Sequence, residues 1–193
     1  MAPDDIVQSH IEATSSRLNA VPIVLAVHDT TEANWTHLRA PEGFGPLGHP
    51  ACHGLLVHTT LASTPERVPL GLLAPQVWAR DPNDIGKRAR RKQRPLSQKE
   101  SQPWLHSLDA VSTARDCCPT PHVLSVGDRE ADVSDVLAAP RPAGVDLLMR
   151  ASWNRGVNAP QRYVWATVAA QPVAAPLLLH VPRRGPQPAR EAT

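Results

Sequence analysis

Cysteine is scarce in this chain, and two of the three, Cys117 and Cys118, are adjacent, with Cys52 far upstream. An odd count without a C-x-x-C pair excludes a disulfide framework and a zinc ribbon. Aromatic side chains are scarce too, with one tyrosine and one phenylalanine in 193 residues. No apolar run approaches the roughly 18 residues of a membrane helix. Nor does a basic, apolar leader with a cleavage site open the chain, which predicts a cytoplasmic protein with no membrane partner. Net charge is only +2. Any affinity for nucleic acid must therefore come from where the cations lie, not from their balance.

Hydrophobic residues make up 41% of the chain, enough for a core in one domain, or one domain and part of another. Proline is abundant at 21 residues, clustered at 41–50, 65–82, 119–121, 140–142 and 172–188. Such clusters cut a chain into short elements. There is no internal repeat.

Two apolar runs share one pattern. Val123-Leu-Ser-Val-Gly-Asp128 reads as a short buried strand ending in a glycine and a carboxylate. A helix is expected directly after it, over Ala131–Ala138, opened by acids where the macrodipole favours negative charge. Far upstream, Val21 to His28 reads as a strand buried on both faces, again ending in a carboxylate, Asp29. Open α/β sheets place their chemistry at the carboxyl ends of strands. Two such ends, 99 positions apart (128 minus 29), predict one site assembled from distant parts.

The remaining elements follow in order. Asp4 or Asp5 can cap a helix to about Leu18, with Ile6, His10, Ile11 and Leu18 on one face. Residues 32–50 are a Gly/Pro-rich connection, and His53–Leu61 with Val68–Trp78 form a hairpin pattern. Lys99 to about Cys117 reads as a helix with Trp104, Leu105, Leu108 and Val111 as its buried stripe, and Val145 to Arg150 as a strand. Three strands, a helix, a strand, a helix and a fifth strand predict an α/β fold with a mixed sheet, antiparallel first and parallel later. Beyond residue 151, a helical turn is expected over 165–170 and a strand over 176–181, while 182–193 shows no apolar periodicity.

If the two aspartate-bearing strands are parallel neighbours, their backbones lie roughly 4.8 Å apart. Two carboxylates that close repel by a few kcal/mol unless a proton is shared or a cation sits between them. Hard oxygen ligands suit Mg²⁺ or Mn²⁺. The alternative is structural, with one aspartate capping a turn and the other a helix. Lys87, Arg88, Arg90, Arg91, Lys92 and Arg94 put six cations in eight positions, either a solvated loop or a DNA-facing one. Arg129 and Arg150 flank the expected site as candidate phosphate contacts, with an ion pair to Glu130 or Asp132 the alternative for Arg129. His49, Cys52 and His53 offer three ligands in five positions without the spacing of a structural zinc site. His28 could meet a phosphate, but strand alternation points it to the face opposite Asp29.

His28-Asp29-Thr30-Thr31-Glu32 followed by Gly127-Asp128-Arg129-Glu130-Ala131-Asp132 resembles the DDE transposases of the insertion-sequence-four type. Lys99-Glu100-Ser101 before Trp104, and Leu148-Met149-Arg150-Ala151-Ser152, match further patterns of that family. The likeness runs from about Val21 to the last residue. It implies an RNase H-like mixed sheet over 21–153, after an N-terminal helix over 1–20. It also implies Asp29 and Asp128 as catalytic, metal-binding residues with Mg²⁺ or Mn²⁺ as cofactor. The implied partner is double-stranded DNA, both transposon ends and target, with nucleoid association and a full-length transposase as a further partner.

One family feature is missing. The third acid, a glutamate, lies in a pattern Tyr-x2-Arg-x3-Glu-x6-Lys, yet three residues after Tyr163 stands Ala166, and Glu191 is the last acid. The expectation is therefore a core that stops before its glutamate, with 154–193 as the start of a β-rich insertion. Such a chain is either an inactive transposase fragment or a non-catalytic module that binds DNA or a full-length transposase. A haloacid-dehalogenase-like phosphohydrolase is the rival enzyme, from Gly127-Asp128-x3-Asp132 with Asp29 as nucleophile. That family needs a second aspartate where Thr31 stands.

Overall fold

The strand at the centre of the sheet is β1 (Ile23–Asn34), in a computed structural model that describes residues 2–38, 42–49, 51–82 and 102–192. On one side β1 pairs antiparallel with β3 (His53–Ser63), and on the other it pairs parallel with β5 (His122–Gly127). β6 (Val145–Met149) extends the sheet in parallel beyond β5. The outer edge of β3 carries β4 (Pro69–Trp78) and the two-residue β2 (Gly45–Pro46), both antiparallel. The fold is α/β with a mixed sheet, antiparallel on one side of β1 and parallel on the other.

Alternation decides what each face does. Val24, Ala26, Ala62, Val123 and Val145 point one way and are buried under α2 (Gln102–Cys117), which contributes Trp104, Leu108, Val111 and Ala114. This stripe matches the expected one, except that Leu105 is only partly buried and Ser107 joins it. α1 (Pro3–Leu18) packs on β4 and buries Thr14 and Leu18. Its first half does not follow the expected face. Ile6 is exposed, because the helix meets β4 only through later turns such as that of His10, whose Nε2 accepts the Leu72 N–H at 3.1 Å. The cap is also different, with Ala2 at the N-cap and Asp5 accepting the Ala2 N–H at 2.9 Å.

Two further elements depart from the sequence pattern. β1 does not stop at His28 but runs on to Asn34, because β3 continues to pair with it after β5 has ended. The apolar run ends where cover on the second side ends, and the strand does not. After β5, the expected helix is split into a 3-10 turn (Arg129–Ala131) and a short α3 (Ser134–Ala138).

The chain divides into two units, Met1–Ser152 and Trp153–Thr193. The second holds α4 (Val164–Ala169), near the expected helical turn, and a small antiparallel pair, β7 (Leu179–Val181) with β8 (Arg190–Ala192). β8 was invisible in the sequence, since three residues are too few to show a period. The basic run 87–94 and Lys99-Glu100-Ser101 lie outside the described residues.

Candidate functional site

The parallel pairing of β1 with β5 runs from Ile23 opposite His122 to His28 opposite Gly127. Asp29 follows His28 on β1 and Asp128 comes directly after the end of β5, so the register brings them to the same level of the sheet. β6 pairs with β5 up to Met149 opposite Gly127, and the Arg150 N–H donates to the Gly127 carbonyl at 3.0 Å, placing Arg150 level with Asp128. Asp29, Asp128 and Arg150 thus stand abreast, and all three are exposed. Their neighbours His28 and Gly127 belong to the buried face under α2, which puts the carboxylates on the opposite one.

Each carboxylate is held locally. Asp29 Oδ1 accepts the Thr30 N–H at 2.9 Å. Asp128 caps the 3-10 turn, its Oδ1 accepting the Glu130 N–H at 2.8 Å. The structural reading of Asp128 as a cap is therefore correct, and the cap leaves the residue exposed at the strand edge. Gly127 is required by this turn. A Cβ there would clash with the Ala131 Cβ and sit 2.6 Å from the Met149 sulfur, so only glycine lets the chain fold back over the strand end.

Asp132 has a different role. It is 8% exposed, and its Oδ2 accepts the Ser152 N–H at 2.6 Å. The Ser152 hydroxyl in turn donates to the Arg129 carbonyl at 3.0 Å. These two bonds fasten the segment after β6 to the turn after β5 and so fix Arg150 beside Asp128. Asp132→Ala is expected to cost roughly 1.5–3 kcal/mol, the range for a hydrogen bond to a charged group, read as a lower urea midpoint at unchanged m-value.

Beneath the edge, on the buried face, lies a polar cluster that the sequence did not flag. His28, 3% exposed, places Nδ1 at 3.1 Å from Thr60 Oγ1 and Nε2 at 2.7 Å from Ser125 Oγ. His58, fully buried, places Nδ1 at 2.8 Å from Thr30 Oγ1, while its Nε2 has no hydrogen-bond partner among the described residues. The two rings stack at 6.4 Å, and both meet the Trp104 ring edge-on. Burial, then the charge of His58, pushes His28 down to about 4. Burial lowers His58 as well, opposed by Asp29 and reinforced by His106. The signal was present as polar residues at period two, His28 and Thr30 on β1 against His58 and Thr60 on β3. Alternation had already placed His28 away from Asp29, and a phosphate contact by this buried ring is ruled out.

Glu32 belongs to the alternate face of β1 and pairs with Arg80 at 3.5 Å. His49 Nδ1 accepts the Ala51 N–H at 3.2 Å in a local turn. Among the described residues, no group of three or more His, Cys, Asp or Glu side chains could hold a metal ion. Asp29 and Asp128 supply two hard oxygen donors, which fit Mg²⁺ or Mn²⁺ in kind, and those ions complete their shells with water or further carboxylates. Arg129 is exposed beside Asp128. No protein-family model matches the chain, and no curated protein matches it.

Proposed function

We propose that residues 21–153 are the RNase H-like core of a DDE transposase of the insertion-sequence-four type, which engages double-stranded DNA at transposon ends and target. The observation that carries this reading is the register that sets Asp29 level with Asp128, on strands 99 residues apart in the chain. The sheet order supports it, three antiparallel strands joined through β1 to two parallel ones. Asp29 and Asp128 are the cation ligands in this reading. Mg²⁺ or Mn²⁺ held there would act as a Lewis acid toward a phosphodiester oxygen. Arg150 and Arg129 hold the backbone phosphate beside the carboxylates, and Lys87, Arg88, Arg90, Arg91, Lys92 and Arg94 bind flanking duplex. Residues 154–193 are then the beginning of a β-rich insertion, and the protein works on the nucleoid.

A second reading is favoured by the lack of a third acid at this edge among the described residues. There the unit binds DNA, or a full-length transposase, without cutting. The phosphohydrolase reading is weaker, because it needs a helix after the first strand and β1 instead runs on as a ribbon with β3.

Both DNA-binding readings make the same first demand. Binding to random-sequence duplex should weaken steeply with salt, with a log–log slope of up to roughly −5 if all six cations of 87–94 engage phosphates. The triple replacement of Arg88, Arg90 and Arg91 by Ala should flatten that slope by about half. Binding that ignores salt would overturn DNA as the partner.

A further inference from the structure

We propose that His28 is a positioning residue that keeps Asp29 and Asp128 abreast. The proposal rests on reading that pair as a cation site. It begins from where the backbone ladder stops. The last paired residues of β1 and β5 are His28 and Gly127, so the ladder between these two strands ends one level short of the carboxylates. The spacing of the two acids therefore depends on what holds the strands together just below.

The His28 ring does so from the buried face. Its two nitrogens reach Thr60 on β3 and Ser125 on β5, at 3.1 and 2.7 Å, so one side chain on β1 bridges both neighbouring strands. A neutral imidazole has one donor and one acceptor nitrogen, and each hydroxyl can take the complementary role. On the other side of Asp29, Thr30 is tied to β3 through His58 Nδ1 at 2.8 Å. Asp29 thus projects from between two residues whose own side chains are fixed underneath. A slip of one residue would turn Asp29 to the buried face, and this cross-strand set of bonds opposes it. An apolar residue would fill the same space, as Val24 and Ala26 do on that face, but would join nothing. Trp104 closes the cluster from α2, so the bonds lie away from water, where an unmade one is costly.

The test is Mn²⁺ binding to the purified chain, followed by the electron paramagnetic resonance of the free ion, well below the melting temperature. His28→Leu is expected to weaken Mn²⁺ binding about tenfold, the low end for loss of a group that supports a metal ligand. Ser125→Ala should shift it in the same direction. His28→Gln, whose amide can donate and accept, should restore most of the affinity. A role confined to stability would lower the melting temperature of these variants and leave the affinity of the folded protein unchanged. If Asp29→Ala weakens Mn²⁺ binding while His28→Leu and Ser125→Ala do not, the cation site stands and the positioning role falls. If Asp29→Ala binds Mn²⁺ as the parent does, the cation site falls, and the positioning role with it. Should His28→Leu fail to fold, Ser125→Ala, which removes a single hydroxyl, decides the question.

Discussion

Between pH 6.5 and about pH 4, the folded protein is expected to lose about 3 kcal/mol of stability through His28 alone. Its imidazole is kept neutral in the folded state, first by burial and then by the neighbouring His58. In the unfolded chain the same group takes up a proton as the pH falls through 6.5, so the unfolded state binds more protons across this window. Stability is therefore full above 6.5 and declines as the pH approaches the folded value of about 4. His58 is lowered as well and acts in the same direction. Urea midpoints measured through this range should fall continuously, and His28→Gln should flatten the fall. A slope unchanged in His28→Gln would mean that the ring is protonated without cost.

Incubated with Mg²⁺ or Mn²⁺ and DNA, the 193-residue polypeptide by itself is expected to leave the duplex intact. Under the proposed function, the edge of the sheet offers two carboxylates and a guanidinium, whereas phosphodiester transfer needs charge stabilised on both the attacking and the leaving oxygen. Loss of even one preorganised electrostatic element lowers a rate by roughly 10²–10³-fold. Loss of a whole acidic ligand is expected to do more. Fusion to a segment carrying Tyr-x2-Arg-x3-Glu-x6-Lys should produce nicked or joined products, and Asp29→Ala or Asp128→Ala should abolish them. Metal-dependent cutting by the unfused polypeptide would overturn this expectation and point to another acid. Glu32 is a poor candidate, since it lies on the alternate face of β1 and pairs with Arg80.

The two carboxylates were legible because strand endings and spacing carry the information twice. The offset of 99 between Asp29 and Asp128 is the same offset that pairs Ile23 with His122 and His28 with Gly127. What could not be read was the continuation of β1 to Asn34. A strand covered on one side only carries no unbroken apolar run, and Thr30, Thr31 and Glu32 look like a loop. The split of the helix after β5 was hidden for a related reason, since its acids suit a 3-10 turn and an α-helix alike. The histidine cluster escaped because His and Thr on alternate positions read as a polar face until the opposite strand and Trp104 are known. Asp132 was read within an acidic motif, and only the fold shows that it is buried and bonded to Ser152.

The distance along the chain between Asp29 and Asp128 also has a consequence for how the molecule comes into being. β3 and β4 are joined by a short turn, and β1 lies far nearer to β3 in the chain than to β5, so these three strands can pair as soon as they exist, since loop-closure entropy grows with loop length. The union of β1 with β5 must wait for the whole of α2 and the start of β5 to be synthesised. Non-local parallel pairing of this kind is slow compared with local contacts. Asp29 therefore spends the early life of each new chain on a meander whose inner edge is open. That edge is hydrogen-bonding backbone awaiting a strand, the kind of surface on which neighbouring nascent chains join wrongly. A protein that joins β1 to β5 late is thus most exposed to misassembly just before Asp29 and Asp128 come level.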